Sequence, residues 1–151
     1  GATFYNGMIS RRIQEEEKLN QARNNAVILV AELNKKLGGL GFITKKFREI
    51  KPEETEITGR RIFEDRHYIF DEFSCEKDPS YFAGLPISVI RQFLLVSRTI
   101  SGMEEISEIL YSQSAASRQI GRIEIISFGE QAIKQATILL HLLNVEYKFD
   151  E

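Results

Sequence analysis

Residues Ala26–Ala31 read AVILVA, and their assignment decides the predicted fold class. A short, continuous apolar run fits either a buried strand or a buried stretch of helix, because periodicity alone does not separate the two. The β-branched residues in the run favour a strand. The alternative is that the helix predicted over Ala2–Arg23 simply continues to Leu37. With the strand assignment, the sequence predicts an α/β domain with a small central sheet.

The predicted first helix, Ala2–Arg23, has two different halves. Its first half carries no charged residue, whereas its second half contains the charged run Arg11–Lys18. We therefore expect the first half to face another part of the protein or a partner.

The other predicted elements follow from alternation, helical spacing and turn residues. Strands are predicted at Phe42–Ile50, at Ile57–Phe73 (as a strand or hairpin), at Ser80–Ala83 and at Val145–Phe149. Helices are predicted at Ile87–Ile100, at Met103–Tyr111 and at Ile120–Leu143. The predicted architecture is a single domain, residues 1–151, with a long N-terminal helix, a hairpin lid and packed C-terminal helices around the sheet.

Composition narrows the possible functions. The chain has 151 residues, 42% apolar and 28% charged, as expected for one soluble domain with a buried core. A net charge of −2 argues against broad electrostatic binding of polymeric nucleic acid. The single Cys75 excludes an internal disulfide, and two separated histidines do not predict a zinc site. No apolar run is long enough to span a bilayer and no signal peptide is recognisable, so we expect a cytoplasmic domain without membrane contact.

Sequence motifs of known catalytic sites are absent. The chain contains no G-x-S-x-G elbow, no H-E-x-x-H pair and no Walker loop. Neither His67 nor His141 lies at a recognisable spacing from a nucleophile. We therefore predict a protein that is not an enzyme and that needs no cofactor or metal ion.

The segment Ile57–Phe73 is the strongest candidate for a binding site. It places Arg60, Arg61 and Arg66 close together in the sequence and beside Tyr68. Arginine presents a planar fork of donors that matches a phosphate group. The alternative is a solvated hairpin edge, because charged residues on exposed strands also discourage aggregation.

Three separated segments of the chain agree in order and approximate spacing with those of one known family. They are Thr3–Ile9 (TFYNGMI), Thr58–Tyr68 with its TGRR and DRHY motifs, and Tyr81–Ser88 (YFAGLPIS). They resemble, in turn, the start of the first helix, the phosphate-contacting segment and the proline corner in the cyclic-dinucleotide-binding domain of STING proteins. The compact lid is more similar to that of the bacterial antiphage (CBASS) members. The family usually has a base-stacking aromatic where this chain has Met8, so the identity of the dinucleotide stays open.

The resemblance implies a homodimer that holds one cyclic dinucleotide in the cleft between its protomers. It implies a sensor in innate antiviral or antiphage defence, with a fused or associated effector such as a TIR or transmembrane domain. Arg66 would pair with a phosphate, and Arg60 or Arg61 would close over the ligand. The implied ligand-binding residues are Thr3, Tyr5, Gly7, Met8, Arg60, Arg61, Arg66, Tyr68, Leu85, Pro86 and Ser88.

Two other functions remain open at this point. Residues Ile123–Ala136, with a central glycine, are similar to a segment of Alba-type nucleic-acid-binding proteins, although the negative net charge argues against this function. The other is an oligomerisation module without a small ligand.

Overall fold

The computed structural model describes residues 2–111 and 114–149, and these residues form helices joined by short turns. The α-helices are α1 (Ala2–Glu49), α2 (Ile57–Asp65), α3 (Ser74–Lys77), α4 (Ile87–Ser107) and α5 (Ala115–Tyr147). Turns of 3₁₀ helix lie at Pro52–Glu54, His67–Phe70, Pro79–Phe82 and Glu108–Tyr111. Residues 2–111 and 114–149 contain no strand. The predicted α/β class with a central sheet is therefore wrong, and the protein is helical.

Helix α5 packs against α1 and α4 and runs antiparallel to α1. The Arg23 guanidinium donates to the carbonyl oxygen of Tyr147 at 2.6 Å, near the last turn of α5. Near the end of α1, Arg122 donates from the first part of α5 to the carbonyl oxygen of Arg48 at 3.2 Å. These two contacts fix opposite chain directions for the two helices.

Helix α4 also runs antiparallel to α5. The Gln92 side chain donates to the carbonyl oxygen of Gln135 at 2.9 Å, and further along α4, Gly102 faces the ring of Phe128. The short elements between α1 and α4 contact both of these helices and cover the same core. The three long helices and this cover enclose one cluster of buried apolar side chains.

The buried residues of α1 explain why the run Ala26–Ala31 is helical. Eight of the eleven buried residues recur at alternating steps of four and three residues, which is the heptad spacing of a packed helix face. These residues are Ala22, Ala26, Leu29, Leu33, Lys36, Leu40, Ile43 and Phe47. Ala26 and Leu29 face the core, whereas Val27 lies on the outer side and is 48% exposed. Continuation of the first helix was therefore the better alternative, and α1 runs on past Leu37 to Glu49.

The remaining predicted strands are helical as well. Residues Phe42–Ile50 lie almost entirely within α1, Ser80–Ala83 overlaps a 3₁₀ turn, and Val145–Phe149 starts in the last turn of α5. The predicted hairpin lid, Ile57–Phe73, is α2 followed by a 3₁₀ turn. Within α2, the buried residues Gly59, Ile62 and Phe63 follow helical rather than alternating spacing.

Two of the three helices predicted in the C-terminal half are confirmed in position, whereas the predicted helix Met103–Tyr111 is the end of α4 followed by a 3₁₀ turn. Helix α4 begins at Ile87 as predicted, with Pro86 at its N-cap, and it continues to Ser107. Helix α5 contains the whole of the predicted Ile120–Leu143. It starts earlier because the Ser114 hydroxyl caps its first turn by accepting from the Ser117 backbone N–H at 3.2 Å.

Candidate functional site: the free segment of helix α1

The first part of α1 stands apart from the helical bundle. Every residue from 2 to 21 is exposed, and the first buried residue of the helix is Ala22. We call residues 2–21 the free segment. At a rise of 1.5 Å per residue the segment is about 30 Å long. Most of it therefore extends beyond the core that stabilises the rest of α1.

The free segment is amphipathic. Large apolar side chains with 42–72% exposure lie on one half of its circumference: Phe4, Tyr5, Met8, Ile9, Ile13 and Leu19. The opposite half carries mostly polar residues and glycine: Thr3, Asn6, Gly7, Ser10, Arg11 and Gln14. Arg12, Glu15 and Glu16 also lie on the apolar half, between the group Phe4–Ile13 and Leu19. Grouped, exposed apolar side chains of this kind mark a site of interaction.

The apolar half of the free segment continues the packed face of α1. Stepping back from Ala22 by alternating intervals of three and four residues reaches Leu19, Glu15, Arg12, Met8 and Tyr5. The heptad spacing that packs α1 into the bundle therefore extends almost to its N-terminus. In the free segment this face has no covering element among the described residues. The sequence had already indicated that the uncharged start of the helix must face something.

An unpaired helix of this length has little stability of its own. Short isolated helices are marginal in water, and most helical stability comes from packing of an apolar face. The first turn of α1 also lacks an acidic residue to favour the helix dipole. The free segment therefore gains both burial and helical stability when its apolar half is covered.

The structure separates the first group of predicted ligand residues from the arginines. Thr3, Tyr5, Gly7 and Met8 all lie in the free segment. The Arg66 guanidinium lies over the ring of Phe42, 3.3 Å from its centroid. Met8 and Phe42 belong to the same helix, and the intervening length of α1 corresponds to about 50 Å. Within one protomer these residues therefore do not form a common cleft.

The three arginines of the candidate segment face two different surfaces. Arg60 pairs with Glu56 at 3.4 Å, donates through Nε to the carbonyl oxygen of Leu110 at 3.2 Å and lies over the Tyr111 ring. It borders a cavity of about 460 Å³ whose lining includes Glu64, Glu104 and Glu108. These carboxylates make that cavity unfavourable for a phosphate.

Arg61 and Arg66 border a different, smaller groove of about 260 Å³. Its polar lining comes from Lys46, Thr58 and Asp65 as well as the two arginines. Three cationic side chains and one carboxylate therefore face this groove. Of the predicted arginines, these two are the pair that the structure brings together.

The predicted proline corner packs on the bundle at the point where the free segment ends and α1 enters the core. Leu85 is buried, Pro86 is the N-cap of α4, and Ser88 is exposed. Gly84 adopts a φ of +79°, and a Cβ atom there would lie only 2.7 Å from the Cβ of Ala22. Glycine is needed both for this backbone conformation and for the close approach to α1.

Lys36 is a buried cation that the sequence did not single out. It occupies a core position of the α1 heptad and is 5% exposed. Its Nζ donates to the carbonyl oxygens of Tyr68 at 3.3 Å, Ile69 at 3.0 Å and Asp71. Burial lowers the pKa of Lys36 below its usual value, and nearby carboxylates, first Asp71, partly oppose this effect.

These contacts give Lys36 a structural role, because it satisfies the carbonyl groups that end the turn His67–Phe70. Tyr68, one of the predicted ligand residues, is half-buried beside it, with its hydroxyl oxygen against Gly39 of α1. A lysine placed in an otherwise apolar heptad stripe is the sequence signal that could have identified this site.

No protein-family model, curated protein or solved structure matches this chain. Among the helices of residues 2–111 and 114–149, none contains an apolar stretch long enough to cross a membrane. The same residues contain no cluster of His, Cys, Asp and Glu suited to a metal ion.

Proposed function

We propose that this protein is a helical oligomerisation module whose free segment pairs with the free segment of a second copy. The observation that carries the proposal is the uncovered apolar half of residues 4–19, which continues the heptad spacing of a packed helix. Burying one large apolar side chain contributes about 1.5–3 kcal/mol. Several such side chains from each copy provide the driving force for pairing.

Sedimentation equilibrium of the intact protein over a wide concentration range tests this function. We expect twice the chain mass, with dissociation at low concentration. We call the heptad residues Tyr5, Met8, Arg12, Glu15 and Leu19 the pairing face. Met8→Asp and Leu19→Asp each place a carboxylate in this face and should weaken the dimer at least about tenfold, equivalent to about 1.4 kcal/mol. Ser10→Asp and Gln14→Asp add the same charge to the opposite half and serve as matched controls. A wild-type protein that stays monomeric at all concentrations refutes the proposal.

A second candidate function is binding of a phosphate-containing ligand in the groove beside Arg61 and Arg66. The observation that favours it is the group of three cations, completed by Lys46, around this groove. Cyclic dinucleotides are the ligand class that the STING resemblance implies. Thermal melts with pyrophosphate and with a panel of cyclic dinucleotides test this candidate.

A ligand present at about 100 times its dissociation constant adds about 2.7 kcal/mol of stability. We expect Arg61→Ala to remove the resulting increase in Tm and Arg91→Ala, at an exposed arginine on α4, to leave it unchanged. Absence of a shift with every compound leaves oligomerisation as the sole proposed function.

A further inference from the structure

We propose that the two free segments pair in antiparallel orientation and that the tip of each one docks on the end of the other protomer's bundle. This inference rests on the proposed oligomerisation and adds the orientation, the register and a second contact surface. In both contacts, between the two segments and between each tip and the opposite bundle, the binding partner is a second copy of this chain.

The charges within the pairing face select the orientation. The face contains two charged residues between its apolar ends, Arg12 and Glu15. A parallel pair in register places Arg12 against Arg12 and Glu15 against Glu15, and both contacts are repulsive. An antiparallel pair that crosses midway between these residues instead places Arg12 of each copy opposite Glu15 of the other. Complementary charges at such positions determine register and orientation.

The same crossing also matches the apolar residues. Met8 precedes Arg12 by four residues, and Leu19 follows Glu15 by four residues. Met8 of each copy therefore meets Leu19 of the other, on both sides of the central charged layer. One register thus satisfies the charged and the apolar layers together.

The length of the free segment brings its tip to the bundle of the second copy. Tyr5 precedes Met8 by three residues, and Ala22 follows Leu19 by three residues, so Tyr5 arrives where the other copy's Ala22 lies. Ala22 is 3% exposed and is covered by Gly84. Tyr5 and its neighbour Phe4 therefore meet the surface around Ala22 instead of the α1 stripe itself.

That surface, which we call the bundle end, is suited to aromatic side chains. Near Gly84, Ile87 is 67% exposed, and near Tyr147, Val145 is 63% exposed. Tyr147 belongs to the bundle end because its carbonyl oxygen accepts from Arg23, the residue next to Ala22. Phe4 and Tyr5, at 72% and 65% exposure, supply the complementary apolar surface. The dimer then covers the tip of each segment as well as its middle.

Cysteine cross-linking tests the orientation. Met8→Cys carrying an affinity tag is mixed with untagged Leu19→Cys and oxidised gently, and each variant is also oxidised alone. The native Cys75 can remain in place, because it is buried and burial raises the pKa of its thiol to about 12. We expect a tagged–untagged disulfide dimer from the mixture and little dimer from either variant alone. Ser10→Cys, on the opposite half, should not cross-link with either variant.

Three other outcomes would each refute one part of the proposal: the orientation, the register or oligomerisation itself. A disulfide dimer from Met8→Cys alone means a parallel pair and refutes the orientation while it supports oligomerisation. A dimer in sedimentation without the mixed disulfide refutes the register. A monomer in sedimentation with no cross-link refutes oligomerisation itself.

Substitution at the bundle end tests the second surface. Ile87→Asp should raise the dissociation constant of the dimer about tenfold or more. Ile57→Asp is the matched control, because Ile57 has 71% exposure and belongs to α2, which packs against the other end of α1. Equal dissociation constants for the two variants refute docking of the tip on the bundle end.

Discussion

Replacing Gly129 by alanine is expected to destabilise the packing of α5 against α1. A Cβ atom at this position would overlap the Thr44 hydroxyl and lie 3.1 Å from Cε of Met103. Thr44 has little freedom to withdraw, because it is 3% exposed and its hydroxyl donates to the Leu40 carbonyl oxygen at 2.7 Å. An added methyl group in a packed core costs about 1–3 kcal/mol.

Gly41→Ala is the matched control for this substitution. Gly41 also lies inside a helix, but an added Cβ there meets no atom within 4 Å. Both substitutions gain helix propensity of up to about 1 kcal/mol. The difference between the two variants therefore isolates the cost of the overlap, about 2 kcal/mol in favour of Gly41→Ala.

Thermal and urea unfolding at one fixed protein concentration measure this difference. A fixed concentration is required because dimer formation makes Tm depend on concentration. For a domain of this size, about 2 kcal/mol corresponds to a gap in Tm on the order of 5 °C. If Gly129→Ala is as stable as Gly41→Ala, then α1 and α5 do not approach each other closely at Gly129, and the reasoning from their packing is refuted.

Three further predictions concern charged residues. Lys36→Met should lower the free energy of unfolding by about 1–3 kcal/mol, measured by urea unfolding, because the buried carbonyl groups lose their donor; unchanged stability would contradict the structural role. Because the pKa of Lys36 is lowered in the folded protein, the unfolded chain binds more protons than the folded protein just below pH 10.5. The free energy of unfolding of the wild type, relative to that of Lys36→Met, should therefore rise with pH in that window. A constant difference between pH 7 and 10.5 would contradict the burial of the charge. Arg12→Glu should weaken the dimer in sedimentation and the added change Glu15→Arg should restore it, whereas a parallel pair predicts similar dissociation constants for all three proteins.

The arginine segment illustrates how far local sequence can identify a site. Adjacent arginines in a strand would point to opposite faces, and in a helix they are rotated by about 100°. Sequence adjacency therefore did not determine which arginines share a surface. The packing of α2 against the turn Glu108–Tyr111 directs Arg60 into an ion pair and a carbonyl contact, and it leaves Arg61 beside Arg66.

The sequence alone provided part of the evidence that the free segment is a binding surface. An uncharged first half of a helix indicated that this part needs a partner. The continuity of its apolar half with the packed face of α1 became visible only once the structure showed α1 continuing through Ala26–Ala31 to Glu49. A strand at that position would have interrupted the heptad spacing. Because the fold prediction placed a strand there, it did not reveal the continuous heptad spacing that supports the candidate site.

By itself, the sequence determined where apolar residues recur with helical spacing in the C-terminal half and where α4 starts. It placed the start of α4 after Pro86 and most of α5 within Ile120–Leu143, because helical hydrogen bonds join residues close in the chain and leave a local pattern. Only the tertiary structure decided that Ala26–Ala31 belongs to a helix and that Ile57–Phe73 forms α2 and a 3₁₀ turn. A short apolar run fits a strand or a helix equally well, and the neighbouring surfaces that cover it decide between them. Those surfaces come from distant parts of the chain, and for the free segment we propose that they come from a second copy.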